Sequence, residues 1–316
     1  MAASALPSFV FAFLVGLPLL YWPQGIESAP ALKQAGIERL CVPPDQVDAW
    51  QKAGFTPVAM SQADLESRVK LMEPRIAGRV AVASPTRSPW VDANGWRIQR
   101  NSAGKYLYDL PKGRAALAAA EAFAYGADAV LKIDPADLEE LGQMFAFLRE
   151  LPQESLPPVA DFAVVDDGSE LTGEVMNLLA RRNLLFRVLT ASSPQFPINV
   201  RLGTAEYPTA QAANPSEFAL KIRRQLTDEK RSLRLYGSEV VICRLNSDGS
   251  RARVHMLNYS GREIGGLRLR VRGMYSKGQA VAAGIGRLVL DDYVAVDGAT
   301  EFSIPRLGLY AVVDLN

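Results

Sequence analysis

The stretch from Ser84 to Pro111 combines aromatic side chains with amide, guanidinium and carboxylate groups. Its candidate binding residues are Trp90, Asn94, Trp96, Arg97, Tyr106 and Tyr108. Aromatic faces beside hydrogen-bonding groups suit a sugar, because the C–H face of the sugar stacks on a ring while its hydroxyls bind the polar groups. With no secondary structure assigned to it, the stretch is predicted to be a long functional loop that binds a carbohydrate.

The same residues have a second interpretation, which the sequence leaves open. Trp90 and Trp96 could fill the open end of an incomplete barrel. Asp92 and Asn94 could serve only to make turns, since Asn94-Gly95 is typical of a tight hairpin. The first interpretation expects the rings to line an open pocket, and the second expects them to be packed in the interior.

Three aspartates are candidates for catalysis of glycoside hydrolysis: Asp92, Asp109 and Asp134. That reaction needs two carboxyl groups, about 5–5.5 Å apart in retaining enzymes and about 6.5–9.5 Å apart in inverting ones. Asp134 directly follows a predicted strand, where sites of parallel α/β proteins gather. It also precedes Pro135, so a role as a helix cap explains it equally well.

Other chemistries lack the residues they need. The chain has one histidine, His255, and two cysteines, Cys41 and Cys243, so we expect no metal site and no disulfide framework. Neither a phosphate-binding Gly-x-x-x-x-Gly-Lys nor a dinucleotide-binding Gly-x-Gly-x-x-Gly occurs, and we expect no cofactor. The 35 basic and 34 acidic residues balance, which argues against a nucleic-acid partner.

Elements that would position these residues follow from the hydrophobic pattern. Short apolar strands alternate with amphipathic helices over 32–151, which predicts an incomplete barrel-like or open parallel α/β region of four to five strands. The predicted strands are 37–42, 55–60, 79–83 and 129–133, and the predicted helices begin at Pro44, Ser61, Gly113 and Asp134. The helix from Ser61 is expected to bury Leu65, Val69 and Met72 on one face.

The remaining chain predicts two more domains. After a proline-rich linker, residues 156–230 contain a strand, a helix and a strand in the manner of a flavodoxin-like βαβ unit. Residues 231–316 change to a period of two between glycine-rich turns, which predicts an antiparallel β-sandwich. The sequence thus predicts an α/β plus all-β protein with one domain for each of these three parts.

The first residues resemble an export signal. The run from Pro7 to Tyr21 is uncharged, and Ala29-Pro30-Ala31 offers small residues for cleavage, so we expect residues 1–31 to direct export to the periplasm or the outside of the cell. The alternative is a buried helix or the first strand of the fold. No other stretch is apolar enough to suggest a membrane span after cleavage.

The order of these parts is similar to the family-42 glycoside hydrolases. The residues that carry the resemblance are GRAALAAAEAFAYGADAVLKID at 113–134, ADFAVVDDGSELTGEVMNLLARRNLLFRVL at 160–189, RVHMLNYSG at 253–261 and TEFSIPRLGLYAVVDL at 300–315. The resemblance implies the end of a catalytic barrel, a trimerisation-type flavodoxin-like domain and a C-terminal β-domain. It covers roughly residues 80–316, so it implies a truncated relative of this β-galactosidase-type family.

Two hypotheses about function follow. Family-42 enzymes use two glutamates at the ends of barrel strands, whereas the glutamates here open a strand, lie within helices or precede a proline. The first hypothesis is therefore an exported carbohydrate-binding or carbohydrate-processing protein on a reduced glycoside-hydrolase-like scaffold. The second is a non-enzymatic structural module that forms a homo-oligomer or binds another protein.

Overall fold

The computed structural model describes residues 16–77 and 90–316, and its first part contains eight strands and six helices. The strands are β1 Leu19–Tyr21, β2 Arg39–Val42, β3 Thr56–Ala59, β4 Val69–Leu71, β5 Arg75–Ala77, β6 Trp90–Asp92, β7 Lys105–Asp109 and β8 Asp128–Lys132. The helices are α1 Ala29–Gln34, α2 Val47–Lys52, α3 Gln62–Glu66, α4 Gly95–Arg100, α5 Ala115–Tyr125 and α6 Leu138–Glu150. Helix α5 ends at Gly126, whose φ of 65° is the left-handed conformation typical of a helix end.

Six of these strands form one parallel sheet in the order β3-β2-β1-β8-β7-β4. The first strand lies beside the last, which is the pairing that closes a parallel barrel. Strands β3 and β4 lie at the two edges of the sheet. The sheet is therefore open and parallel, as the sequence predicts, with six strands rather than four or five.

Side chains alternate between the two faces of this sheet. One face carries a small apolar cluster formed by Tyr21, Cys41, Met60, Leu65, Leu107 and Val130. The opposite face, which includes Leu20, Leu40, Tyr108 and Leu131, joins the main core beneath the helices. Both faces are covered, as parallel sheets require, and we call the face with the small cluster the inner face.

The middle of the chain forms a second parallel sheet. Strands β9 Phe162–Val165, β10 Phe186–Leu189 and β11 Asn199–Val200 pair in the order β10-β9-β11, with helices α7 Glu170–Arg181 and α8 Pro215–Lys230. Ser169 caps α7 through its side chain.

The last part is a β-sandwich of two antiparallel sheets. Its strands are β12 Leu233–Tyr236, β13 Val241–Ser247, β14 Ala252–Asn258, β15 Ile264–Arg272, β16 Gly278–Ala282, β17 Gly286–Leu288, β18 Asp291–Val296, β19 Ala299–Leu307 and β20 Tyr310–Leu315. The sheets have the orders β12-β15-β19-β18 and β13-β14-β20-β16-β17. Their facing residues form a separate core.

The five-stranded sheet also packs on the first part of the chain. Strand β14 is buried along its whole length, with Val254 and Met256 in the sandwich core and Leu257 in the core of the first part. Helix α5 lies between this sheet and the six-stranded sheet, and all its residues are buried. Alanine at most of its positions lets the backbone approach both sheets closely.

Three local predictions are wrong. The helix after Ser61 ends at Glu66, so Val69 lies in strand β4 and is exposed. The long loop contains β6, α4 and β7 from Trp90 onward. Gly95 begins α4 rather than a hairpin turn, and a side chain there would collide with the ring of Tyr125. The predicted strand 79–83 and residues 84–89 of the loop lie outside the described residues.

The N-terminal segment from Leu19 onward belongs to the fold. Strand β1 pairs with β2 on one side and β8 on the other, and Leu20 is fully buried. Cleavage near Ala29–Ala31 would remove this central strand, so any cleavage that preserves the sheet has to occur before Leu19. The described helices include none that is long and apolar enough to cross a bilayer. Export and the three domain boundaries stay predictions.

We predict that Leu20→Ala destabilises the protein by about 2–5 kcal/mol, because it leaves a cavity between two paired strands. Leu220→Ala is the matched control, since Leu220 is 40% exposed on α8. Urea denaturation followed by circular dichroism measures the difference. A loss for Leu20→Ala no greater than that of the control would contradict the central placement of β1.

Candidate functional site

The carboxyl edge of the six-stranded sheet carries a charged pair on its inner face. Asp109 ends β7, Lys132 ends β8 and Tyr21 ends β1, and the three residues are paired in register across the sheet. Leu107 and Val130 belong to the inner cluster, so Asp109 and Lys132, two residues further on, share its face. This is the place where ligands bind in parallel α/β proteins.

Asp109 and Lys132 form an ion pair that solvent can reach. The Nζ of Lys132 lies 3.2 Å from Oδ2 of Asp109, and the two side chains are 46% and 55% exposed. The buried ring of Tyr21 lies in register beside Lys132. An exposed carboxylate and ammonium group next to an aromatic ring can together bind the hydroxyls of a polar ligand.

The other two predicted catalytic aspartates lie in different surroundings. Asp134 accepts a hydrogen bond of 2.9 Å from the backbone N–H of Ala136 and caps the short 3₁₀ turn Pro135–Asp137. Asp92 accepts hydrogen bonds from Trp90 Nε1 at 2.9 Å and Arg75 Nε at 3.4 Å. The cap interpretation of Asp134 is thus present in the structure, while a catalytic role for each aspartate stays a prediction.

A row of charges connects Asp92 to the same edge of the sheet. Arg75 also contacts Glu73 at 3.4 Å, and Glu73 accepts a hydrogen bond of 2.8 Å from Arg114 Nε. Glu73 follows β4 and Arg114 follows β7, so this row runs along the carboxyl edge towards the Asp109–Lys132 pair. The described residues include no group of three or more His, Cys, Asp or Glu side chains placed to hold a metal ion.

The predicted sugar-binding rings are mostly packed in the interior. Tyr106 and Tyr108 are buried in β7, and Trp96 is 7% exposed in the core of the middle part. The guanidinium of Arg97 lies 4.2 Å from the ring centroid of Trp96. Trp90 is partly exposed, and Arg181 covers its ring at 4.4 Å. These ring faces are therefore occupied by protein groups, and Trp96 packs with the middle part of the chain rather than in the core of the first sheet. Sugar binding by these residues stays a prediction.

Asn94 and Tyr108 both form hydrogen bonds with Glu121, a residue that was not among the predicted site residues. Its Oε1 accepts hydrogen bonds from the backbone N–H of Asn94 at 2.7 Å and from the Tyr259 hydroxyl at 2.6 Å. Its Oε2 accepts from Asn94 Nδ2 at 2.9 Å and from the Tyr108 hydroxyl at 2.8 Å. All four residues are buried. We call them the Glu121 cluster.

Burial keeps the two phenols of this cluster protonated. Burial, followed by the nearby charge of Glu121, raises the pKa of Tyr108 well above its ordinary value, and the same causes raise the pKa of Tyr259. Both hydroxyls therefore donate to the carboxyl oxygens at neutral pH. Four donors on two oxygens satisfy the buried group, so the cluster holds α5, β7 and the residue after β14 together.

The sequence carried one signal for Glu121. It is the only charged residue in the helix sequence AALAAAEAFAY, where every other position is apolar. A charged residue is rarely fully buried unless it has partners, so its partners could have been sought among the nearby Tyr and Asn residues. The partners come from sequence positions up to 138 residues away, and the sequence alone does not bring them together.

His255 is buried against the same helix. Its Nδ1 lies 2.7 Å from the Tyr310 hydroxyl, and its ring meets that of Phe123 edge-on with centroids 6.3 Å apart. Burial, followed by the charges of Arg244 and Arg253, lowers the pKa of His255 well below its ordinary value. The imidazole is therefore neutral, and it is held by one hydrogen bond and by ring contacts in the interior.

Comparison with solved structures shows a glycoside-hydrolase-like fold. The α-L-fucosidase isoenzyme 2 from Paenibacillus thiaminolyticus is similar over 90% of this chain and 71% of its own, with a TM-score of 0.54 and 9% identity. A β-galactosidase from Rahnella sp. R3 matches over 69% of this chain and 61% of its own, with a TM-score of 0.39 and 9% identity. A catalytic mutant of a family-42 β-galactosidase from G. stearothermophilus matches over 78% and 53%, with a TM-score of 0.39 and 6% identity.

These comparisons bear on the fold alone. The similarity with a TM-score above 0.5 is to a fucosidase and not to a family-42 enzyme, so the narrower resemblance given by the sequence is not established. No protein-family model matches the chain. No curated protein matches its sequence either.

We predict that Glu121→Gln lowers the free energy of unfolding by about 1–3 kcal/mol, because the new amide places donors against donors. Glu139→Gln is the control, since Glu139 is exposed on α6. Urea denaturation of both variants gives the comparison. Equal stability of the two variants would show that the Glu121 cluster does not hold the structure together.

We also predict a pH dependence that comes from His255. The unfolded chain binds a proton at this residue below a pH of about 6.5 and the folded chain does not, so stability falls as the pH falls. Between pH 7 and pH 5.5 the loss should be about 1 kcal/mol. Urea denaturation of the wild type and of His255→Gln at both pH values tests this. The prediction fails if both proteins show the same pH dependence.

Proposed function

We propose that this protein binds a carbohydrate at the carboxyl edge of its six-stranded sheet. One observation carries the proposal: Asp109 and Lys132 reach solvent side by side on the inner face, where a parallel barrel holds its ligand. The fold shared with the fucosidase supports this choice of ligand class.

The inner face favours binding at the edge rather than deep inside. The cluster of Tyr21, Met60, Leu65, Leu107 and their neighbours fills the space between the strands. A sugar would therefore rest on top of this cluster, with its hydroxyls bound to Asp109 and Lys132. The charged row of Glu73, Arg75, Arg114 and Asp92 extends the polar rim on one side.

Hydrolysis is a narrower proposal that needs a second carboxyl group. In it, Asp109 and either Asp134 or Asp92 act as the acid and the base or nucleophile, as the chemistry of glycosidases requires. The ion pair with Lys132 and the cap formed by Asp134 favour binding without hydrolysis. Export belongs to the same proposal and is supported by the uncharged run from Pro7 to Pro18, which precedes β1.

A glycan array and calorimetry with the best ligand test the binding proposal. We expect Asp109→Asn to weaken binding about tenfold or more, since it removes the carboxylate and leaves Lys132 unpaired. Asp48→Asn, an exposed change on α2, is the matched control and should bind as the wild type does. Wild-type protein that binds no glycan, or equal affinity of the two variants, would overturn the proposal.

A panel of aryl glycosides tests hydrolysis separately. Turnover by the wild type that is lost in Asp109→Ala and in either Asp134→Ala or Asp92→Ala supports a catalytic pair. Glycan binding with no turnover of any glycoside would assign the protein to binding alone.

A further inference from the structure

A small cavity lies where the three parts of the chain meet. Its volume is about 30 Å³, and its walls come from α4 and α5, from the end of α7 and the start of β10, and from β13. Three polar side chains line it: Gln99 of α4, Tyr125 of α5 and Arg244 of β13. Ligand sites are frequent at junctions of this kind. We call it the junction cavity.

Arg244 carries a positive charge that no carboxylate balances. Its guanidinium lies 4.7 Å from the ring centroid of Tyr125, and its Nε donates to Asn246 Oδ1 at 3.3 Å, so both of these partners are neutral. No carboxylate among the described residues forms an ion pair with it. Burial lowers the pKa of Arg244, and the groups that oppose this are the hydroxyls of Tyr125 and Tyr310. Charges that are taken out of water are normally paired, so this one lacks a negative partner.

The charged groups near Arg244 already have partners or carry no charge. Arg253 donates to the carboxylate of Asp314 at 2.6 and 2.8 Å. His255 lies opposite Arg244 in register and is neutral. Both carboxyl oxygens of Glu121 are held by the four hydrogen bonds of the Glu121 cluster. None of these groups is available to neutralise Arg244.

Donor groups with no partner line this one small space. The two Nη atoms of Arg244, the hydroxyl of Tyr125 and the amide of Gln99 have no hydrogen-bond partner among the described residues, and none of these atoms is fully enclosed. Burial raises the pKa of Tyr125, so its hydroxyl keeps its proton at neutral pH and can donate. A guanidinium, a hydroxyl and an amide N–H together favour an anion, because hydrogen bonds to charged groups are the strong ones.

The walls of the junction cavity are fixed. Asn183 receives a hydrogen bond of 2.7 Å from the Cys243 N–H and donates one of 3.0 Å to the Val241 carbonyl, which ties the end of α7 to β13. Gly95 lets α4 approach the ring of Tyr125 closely, since any side chain there would collide with that ring. A rigid arrangement loses little entropy when a ligand binds.

We propose that the junction cavity binds one small monovalent anion, either a halide ion or a carboxylate group. A water molecule needs about 10–15 Å³ of such a cavity, so its volume suits a chloride ion or the end of a carboxylate and excludes a sugar. The anion neutralises Arg244 and joins α4, α5 and β13 through one bound group. The carboxyl edge of the six-stranded sheet takes no part in this site.

The NMR line width of the chloride ion tests the proposal in a sodium gluconate buffer. We expect the wild type to broaden the chloride signal, because a bound ion relaxes faster than a free one. Sodium formate is then added to displace the chloride. Displacement by formate at a concentration no higher than that of chloride identifies a carboxylate as the preferred ligand, and weaker displacement identifies a halide. Either result supports the site.

Variants locate the binding. Arg244→Met should weaken it about tenfold or more, and Tyr125→Phe, which keeps the ring and removes the hydroxyl, about threefold or more. Arg262→Met is the matched control, because it removes the same charge from an exposed position outside the cavity and should change the affinity less than about twofold. Chloride in place of gluconate should raise the melting temperature of the wild type and not that of Arg244→Met.

Three results would overturn the proposal. They are equal chloride line widths with the wild type and with Arg244→Met, equal weakening in Arg244→Met and Arg262→Met, and an equal response of both melting temperatures to chloride. A cavity that holds only water gives the first of these. If Arg244→Met does not fold, Tyr125→Phe against Arg262→Met decides in the same way. None of these results bears on carbohydrate binding at the carboxyl edge, which the glycan array tests independently.

Discussion

The structure depends on a helix that has no exposed side. Helix α5 lies between the six-stranded parallel sheet and the five-stranded antiparallel sheet, and its alanines let both approach closely. Apolar contact alone is not directional, so it leaves the helix free to slide or turn between two such surfaces. The four hydrogen bonds of Glu121 are directional, and their donors come from both sides of the helix. They fix its position and, with it, the relation between the two parts of the chain.

The same arrangement decides where a ligand can bind. Because the sandwich covers the outer side of α5, the helical side of the six-stranded sheet is closed by protein. The inner face is filled by its own small cluster, so the exposed polar groups of this face lie at the ends of the strands, with Asp109 and Lys132 at the carboxyl edge.

The sequence was most informative where a pattern is local. The alternation of strands and helices predicted β2, β3, β8 and α5 to within a few residues, and the period of two predicted most of the sandwich. The stretch from Trp90 to Asp109 was misjudged because its aromatic residues suggested a surface, whereas their burial comes from packing against distant elements. The burial predicted for Val69 was wrong for a similar reason, because the chain at this residue pairs with β7 as a strand instead of continuing the helix.

For the sites, the sequence selected Asp134 from its place after a predicted strand and Asp109 from the polar stretch 84–111, but it could not supply their partners. Lys132 and Tyr21 become neighbours of Asp109 only through the register of the sheet. The donors of Glu121 come from separate segments of the chain, and such convergence is a property of the tertiary fold.

The position of β1 has a consequence for how the chain is made. Its partner β8 is synthesised more than a hundred residues later, so during translation one side of β1 stays unpaired until residues 130–132 have left the ribosome. Pairs so distant along the chain form slowly, because the loop between them must first be closed. The nascent protein therefore exposes an apolar strand edge for most of the synthesis of its first half, and its yield in a cell should depend on the chaperones that protect such edges.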